Sequence, residues 1–117
     1  MNAPIPYVSV AELATALERG AALIDVREPD EFAWARVPNA ELVPLATVPA
    51  QLESLPSGRP LYVICKSGGR SASAVEFLRA NGVDSVNVEG GTLAWIEGGY
   101  PSDSGPPRDG GGGTATT

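Results

Sequence analysis

Histidine is absent from this 117-residue chain, and cysteine and lysine each occur once. Without histidine the Cys–His pairing of cysteine proteases cannot be built, so a nucleophile here must be activated by dipoles, hydrogen bonds or cations. One cysteine makes no internal disulfide, and with no histidine beside it there is no zinc site of the Cys/His kind. Positive charge is scarce as well: one lysine and seven arginines stand against fourteen carboxylates, a formal charge of -6. That balance argues against a nucleic-acid or anionic-membrane surface, leaving only a local basic pocket around Lys66 and Arg70. No apolar run approaches membrane-spanning length. The first residues, Met1-Asn2-Ala3-Pro4-Ile5-Pro6, hold neither a basic segment nor a continuous apolar one, so no secretory signal is visible.

What remains is an ordinary globular composition, 43% hydrophobic and 19% charged, in a chain of one-domain length. A free thiol poised for reaction survives best in a reducing compartment, and a cytoplasmic location is expected.

Ile5 to Val8 reads as a short strand. Ser9-Val10-Ala11-Glu12 matches a capping box, and the helix it opens, with Leu13, Ala16 and Leu17 on one face, stops at Gly20. Ala22-Leu23-Ile24-Asp25-Val26 is a strand buried on both faces. Pro29 then opens a short helix with Asp30 and Glu31 in its first turn. Glu41-Leu42-Val43 is a brief third strand, and Thr47 to Leu55 predicts a helix begun near Pro49. Leu61-Tyr62-Val63-Ile64 forms a fourth strand. It is followed by a helix burying Ala74, Val75, Phe77 and Leu78 and ending at Asn81-Gly82. Ser85-Val86-Asn87-Val88 is the fifth strand, and Gly90-Gly91 turns into a last helix carrying Leu93, Trp95 and Ile96. Strands alternating with helices imply a parallel sheet covered on both faces, with ligands outside the carboxyl ends of the strands. Residues 1–101 form one domain on this reading, and 102–117, rich in Gly, Pro and Thr, a disordered tail.

The single cysteine, Cys65, stands at such a carboxyl end, followed at once by Lys66-Ser67-Gly68-Gly69-Arg70-Ser71 and then by a helix. A glycine loop curling into a helix start aims backbone N–H groups at the sulfur, and with Lys66 and Arg70 it lowers a thiol pKa below its free value of about 8.5. A lone cysteine is more often a small buried hydrophobe. The glycines and two cations favour a nucleophile instead. Gly68 and Gly69 are expected to be needed for backbone shape, and Asp25 with Arg27 reads as a structural pair.

These residues resemble the rhodanese, or sulfurtransferase, homology domain from residue 5 to about 101. The loop from Cys65 to Ser71 looks like that family's C-x-x-G-x-R loop. It is supported by Leu23-Ile24-Asp25-Val26-Arg27 with Glu28, Glu31 and Phe32, and by Val88-Glu89-Gly90-Gly91-Thr92-Leu93-Ala94-Trp95. The resemblance implies a three-layer α/β/α domain with a five-stranded parallel sheet in the order 1-5-4-2-3. It implies catalytic Cys65 and Arg70, with Lys66, Ser67, Gly68, Gly69 and Ser71 binding substrate. It implies further that sulfur passes from a small donor such as thiosulfate, through a Cys65 persulfide, to cyanide or a thiol; no metal and no cofactor are expected. A thioredoxin-like or other sulfur-relay protein is an expected partner, and a monomer is expected. Where the family commonly has Gly-His-Ile-Pro-Gly-Ala, this chain has Ala35-Arg36-Val37-Pro38-Asn39-Ala40.

Three other readings compete. Cysteine phosphatases place a thiolate in a similar loop, but their C-x5-R spacing exceeds the four residues between Cys65 and Arg70. A persulfide carrier fed by a partner protein needs the same loop as the enzyme. A non-catalytic binding module is the third, since fold does not fix function.

Overall fold

The computed structural model describes residues 4–57 and 59–106. Five short strands alternate with helices: β1 (Tyr7–Val8), α1 (Val10–Glu18), β2 (Leu23–Asp25), α2 (Pro29–Trp34), β3 (Glu41–Leu42), β4 (Leu61–Ile64), α3 (Gly69–Ala80), β5 (Ser85–Val88) and α4 (Gly91–Glu97). Every strand pair is parallel and the order is β1-β5-β4-β2-β3, as expected. No described helix is long and apolar enough to cross a membrane.

Local chemistry sets most boundaries. Ser9 Oγ accepts from Glu12 N at 3.1 Å while Glu12 Oε1 accepts from Ser9 N at 2.8 Å, the reciprocal capping that starts α1. Pro29 occupies the first turn of α2, where its missing N–H costs nothing. The helix expected from Thr47 to Leu55 is instead two 3-10 helices, Leu45–Thr47 and Pro49–Ser54. Pro49 has no N–H for an α-helical ladder, and the turns close through i to i+3 bonds such as Val48 N to Leu45 O and Gln51 N to Val48 O.

The central strands β2, β4 and β5 are buried along almost their whole length, and alternate residues feed two separate cores. On one face Ile24, Val26, Leu61, Val63 and Cys65 pack with Ala74, Val75 and Leu78 of α3 and with Val43 and Val48. On the other, Leu23, Ile64 and Val88 pack with Leu13 of α1 and Trp95 of α4. Phe77 is only partly buried against the first core. The sheet register brings Asp25 beside Ile64, so β2 and β4 end together, and Cys65 emerges at that edge.

The chain beyond β2 is anchored by a buried ion pair. Arg27, 1% exposed, donates from Nε and Nη2 to the Asp25 carboxylate at 2.8–3.1 Å, and its guanidinium also reaches Glu31 O and Ala35 O at 3.1 and 2.7 Å. It thus ties β2 to the far end of α2, the structural role expected of the pair. Arg36 closes the same helix, donating to Phe32 O and Gly105 O and lying 4.7 Å over the Phe32 ring. Asn39 adopts a positive φ of 72°, a conformation asparagine tolerates, at the point where the family pattern has glycine. Within the segment read as a tail, Asp103 bridges to Arg36 and Gly105 N donates to Ala33 O at 2.7 Å, so the chain is still bonded to the domain at Gly105. Residues 107–117 of that segment lie outside the described residues.

Replacing Arg27 by methionine leaves the Asp25 carboxylate buried without its partner. It is expected to cost about 3–5 kcal/mol of stability in urea unfolding; a loss below about 1 kcal/mol would show that water reaches the pair.

Candidate active site

Cys65 follows the last residue of β4, in the middle of the sheet, and is 1% exposed. Three residues later the backbone turns sharply. Gly68 has a φ of 115°, open to glycine and strained for other residues, and it is the N-cap of α3. The turn aims Gly68 N at Cys65 Sγ, 3.1 Å away, and the first turn of α3 places Ser71 Oγ 3.2 Å from the same atom. Burial pushes the thiol pKa up. The Ser71 hydroxyl and the amides of Ser71, Gly68 and Ser67 pull it down, and they prevail: Cys65 lies below the ordinary thiol value.

The loop is held from the other side by α4. Thr92 donates to Cys65 O from both its amide (2.9 Å) and its hydroxyl (3.0 Å), and Leu93 N donates to Lys66 O at 3.1 Å. The approach is so close that a Cβ on Gly91, whose φ is 61°, would stand 2.6 Å from Cys65 O and collide with Lys66 O. The Gly90-Gly91 turn is therefore a docking surface for the loop backbone as well as a helix start.

Arg70 projects from the first turn of α3 toward α2, where Nη1 and Nη2 grip Glu31 Oε1 and Oε2 at 2.8 Å each. That bidentate bond, set against some burial, holds the Glu31 carboxyl down at about 2. Glu31 bonding also holds Arg70 above its ordinary value, with the Cys65 charge contributing. Glu31 Oε1 further accepts from Glu28 N at 2.9 Å, which fixes the carboxylate on its helix. Lys66 is exposed and lines a cavity of about 480 Å3 together with Glu31, Thr92, Leu93 and Trp34. Trp34 (63% exposed) and Leu93 (38%) give this hollow an apolar rim.

Of the residues singled out in the sequence, Cys65, Ser67, Gly68 and Ser71 converge on one sulfur atom. Arg70 is locked to Glu31, where the Cys65 charge still acts on it, and Lys66 lines the cavity next to Glu31 and Trp34. Gly69 differs from expectation: it has no positive φ and open space where a Cβ would sit, so the backbone shape rests on Gly68 alone. Three contributors were not foreseen. Thr92 carries no signal beyond its place in a motif, and Glu31 reads only as a first-turn carboxylate of α2 and a motif residue. Asn87 did carry one: it is a polar residue in the middle of a strand buried throughout, where an amide must find partners. Its partners are Ser71 Oγ at 2.5 Å and Gly68 O at 3.3 Å.

The sequence pattern described as the rhodanese-like domain matches residues 9–98, from the Ser9 cap through Trp95 to the end of α4. This chain belongs to the rhodanese-like domain family. The putative sulfurtransferase YtwF of Bacillus subtilis is 37% identical over 93 residues, covering 78% of this chain and 90% of that protein. A sulfurtransferase of Allochromatium vinosum is 35% identical over 80 residues, covering 68% of this chain and 75% of its own length. Among solved structures, a rhodanese-related protein from Thermoplasma volcanium superposes with a TM-score of 0.78 at 36% identity, covering 84% of this chain and 97% of that one. The rhodanese-like match thus takes in both glycine turns that shape the loop.

Two consequences are measurable. Gly91→Ala is expected to slow alkylation of Cys65 at neutral pH by about tenfold or more, since forcing the loop off its donors costs on the order of 1–3 kcal/mol. An unchanged rate would mean the loop does not need this contact. The depressed Glu31 pKa stabilises the fold above its ordinary value of 4.5, and that contribution disappears as pH falls toward about 2. Because the pair is partly exposed it is worth at most about 1 kcal/mol. Urea midpoints of wild type and Glu31→Gln should differ at pH 6 and converge as pH falls to 2.

Proposed function

We propose that this rhodanese-like domain is a sulfurtransferase in which Cys65 carries the sulfur. The observation that supports the reading most is the sulfur's surroundings: the Gly68 amide at 3.1 Å and the Ser71 hydroxyl at 3.2 Å bond an otherwise shielded thiol, and the amides of Ser67 and Ser71 help to lower its pKa. Such donors favour anionic sulfur, both as the thiolate and as a persulfide.

In the proposed reaction the Cys65 thiolate attacks the outer sulfur of thiosulfate. A new S–S bond forms, the S–S bond of thiosulfate breaks, and its electron pair departs on sulfite. No proton has to reach the leaving group, which suits a site without histidine. Cyanide or a thiolate then attacks the outer sulfur of the persulfide, leaving as thiocyanate or a new persulfide and returning the Cys65 thiolate. The two halves predict ping-pong kinetics. No cofactor enters either half.

The residue roles follow. The amides of Ser67, Gly68 and Ser71 hold the sulfur, and Arg70, aimed by Glu31, supplies fixed positive charge beside it. Lys66, which has no ion pair among the described residues, neutralises the sulfonate of the donor at the mouth of the cavity. The apolar rim of Trp34 and Leu93 receives the body of a thiol acceptor, whether a small molecule or a relay protein. A thiol of this kind persists in a reducing compartment, which makes the cytoplasm the proposed location.

Intact-mass measurement of reductant-free protein after thiosulfate, with sulfite release followed in parallel, tests the proposal. Wild type is expected to gain one sulfur that cyanide or a thiol removes, and Cys65→Ala none. Loading by a persulfide-bearing cysteine desulfurase but not by thiosulfate would make the protein a dedicated carrier, and no loading from either donor a binding module.

A further inference from the structure

Ser71 has one hydroxyl proton and three acceptors within reach: Cys65 Sγ at 3.2 Å, Gly68 O at 3.2 Å and Asn87 Oδ1 at 2.5 Å. The proton satisfies one of them at a time. Asn87 has the shortest contact, and its amide cannot turn over freely, because Nδ2 donates to Gly68 O at 3.3 Å and a flip would set oxygen against oxygen. Asn87 is itself fixed, 7% exposed on β5 with its backbone paired to both neighbouring strands. The same Gly68 carbonyl accepts Ala72 N at 3.1 Å, so this link reaches the first turn of α3.

We infer that Asn87 is a positioning residue of the sulfur site: by competing for the single Ser71 proton it sets how many donors face the Cys65 sulfur. The inference rests on the sulfur-carrier reading and deepens it. When Cys65 is a neutral thiol, its S–H donates to Ser71 Oγ and the Ser71 O–H donates to Asn87 Oδ1. When the thiol proton leaves to water, the Ser71 O–H turns to the sulfur and gives up its bond to Asn87. Ionisation of the thiol is thereby charged the cost of one short hydrogen bond. Once the sulfur carries a second sulfur, the negative charge moves outward and the hydroxyl proton returns to Asn87. No covalent bond to Ser71 is made or broken in the cycle; its hydroxyl only changes hydrogen-bond partner.

The charged groups on the elements that meet this loop are Lys66 in the loop, Arg70, Glu76 and Arg79 on α3, Asp25 and Arg27 at the end of β2, Asp30 and Glu31 on α2, Glu89 just past β5 and Glu97 on α4, which itself meets the loop through backbone and Thr92. An uncharged substitution at Asn87 alters none of them.

The test is the pH dependence of Cys65 alkylation by iodoacetamide in the full chain. Asn87→Leu, close to isosteric and without an acceptor, is expected to move the midpoint down by about half to one pH unit, since the hydroxyl is then free for the thiolate. Asn87→Asp keeps the acceptor and adds charge, and is expected to move it up. In a Ser71→Ala background Asn87→Leu should leave the midpoint where Ser71→Ala alone put it. A structural role alone would lower the melting temperature without this opposed pair of shifts. A midpoint that stays or rises in Asn87→Leu overturns the inference, as does a full shift without the Ser71 hydroxyl. If Asn87→Leu does not fold, Asn87→Val removes the same acceptor with a side chain suited to a strand. Sulfur loading by thiosulfate, measured beside it, separates the two ideas: opposed shifts without loading uphold Asn87 and reject the sulfurtransferase, and loading without shifts does the reverse.

Discussion

A sulfur shielded from water holds negative charge only where the protein supplies the donors that water would have given. That requirement organises this molecule. Burial of Cys65 at the end of β4 disfavours the thiolate, and the loop answers with amides from Ser67, Gly68 and Ser71 and with a hydroxyl. The answer needs the backbone in one shape, which the positive φ of Gly68 permits and the α4 amides enforce. It also needs both cores: α3 gives the hydroxyl from one face of the sheet, and α4 clamps the carbonyls from the other.

The second support is α2. Arg27 holds its carboxyl-terminal carbonyls, Arg36 holds the next ones, and Glu31, fixed by its own capping bond, orients Arg70. Positive charge beside the thiol thus rests on a chain of contacts leading back to the buried Asp25 carboxylate. A flexible arginine would spend most of its time elsewhere; a bidentate partner removes that freedom.

Much of this was legible in the sequence because it depends on local rules. The Ser9-Glu12 cap, the doubly buried strands and the strand-glycine-helix setting of Cys65 follow from patterns a few residues long, and family resemblance supplied the strand order. What escaped depends on distance in sequence. Pro49 does open a helix, Pro49–Ser54, but that its turns are 3-10 and that Leu45–Thr47 forms another before it rests on how Val48 and Leu52 pack against the core. Gly69 looked as constrained as Gly68 and is not. The Arg70–Glu31 pair spans 39 residues and Asn87–Ser71 spans 16, and no periodicity announces either. Asn87 at least advertised itself as a polar side chain in a buried strand; Glu31 already had an explanation.

The loop around Cys65 has no helix or strand of its own, yet little in it is loose. Its entry is the central strand, its exit is the longest helix, and the carbonyls of Cys65 and Lys66 are bonded by α4. Opening it means undocking two helices from opposite faces of the sheet. Amide exchange at Thr92 and Leu93, whose N–H groups make those bonds, should belong with global unfolding and not with surface fraying, which leaves access to the sulfur to the mobility of whatever approaches it.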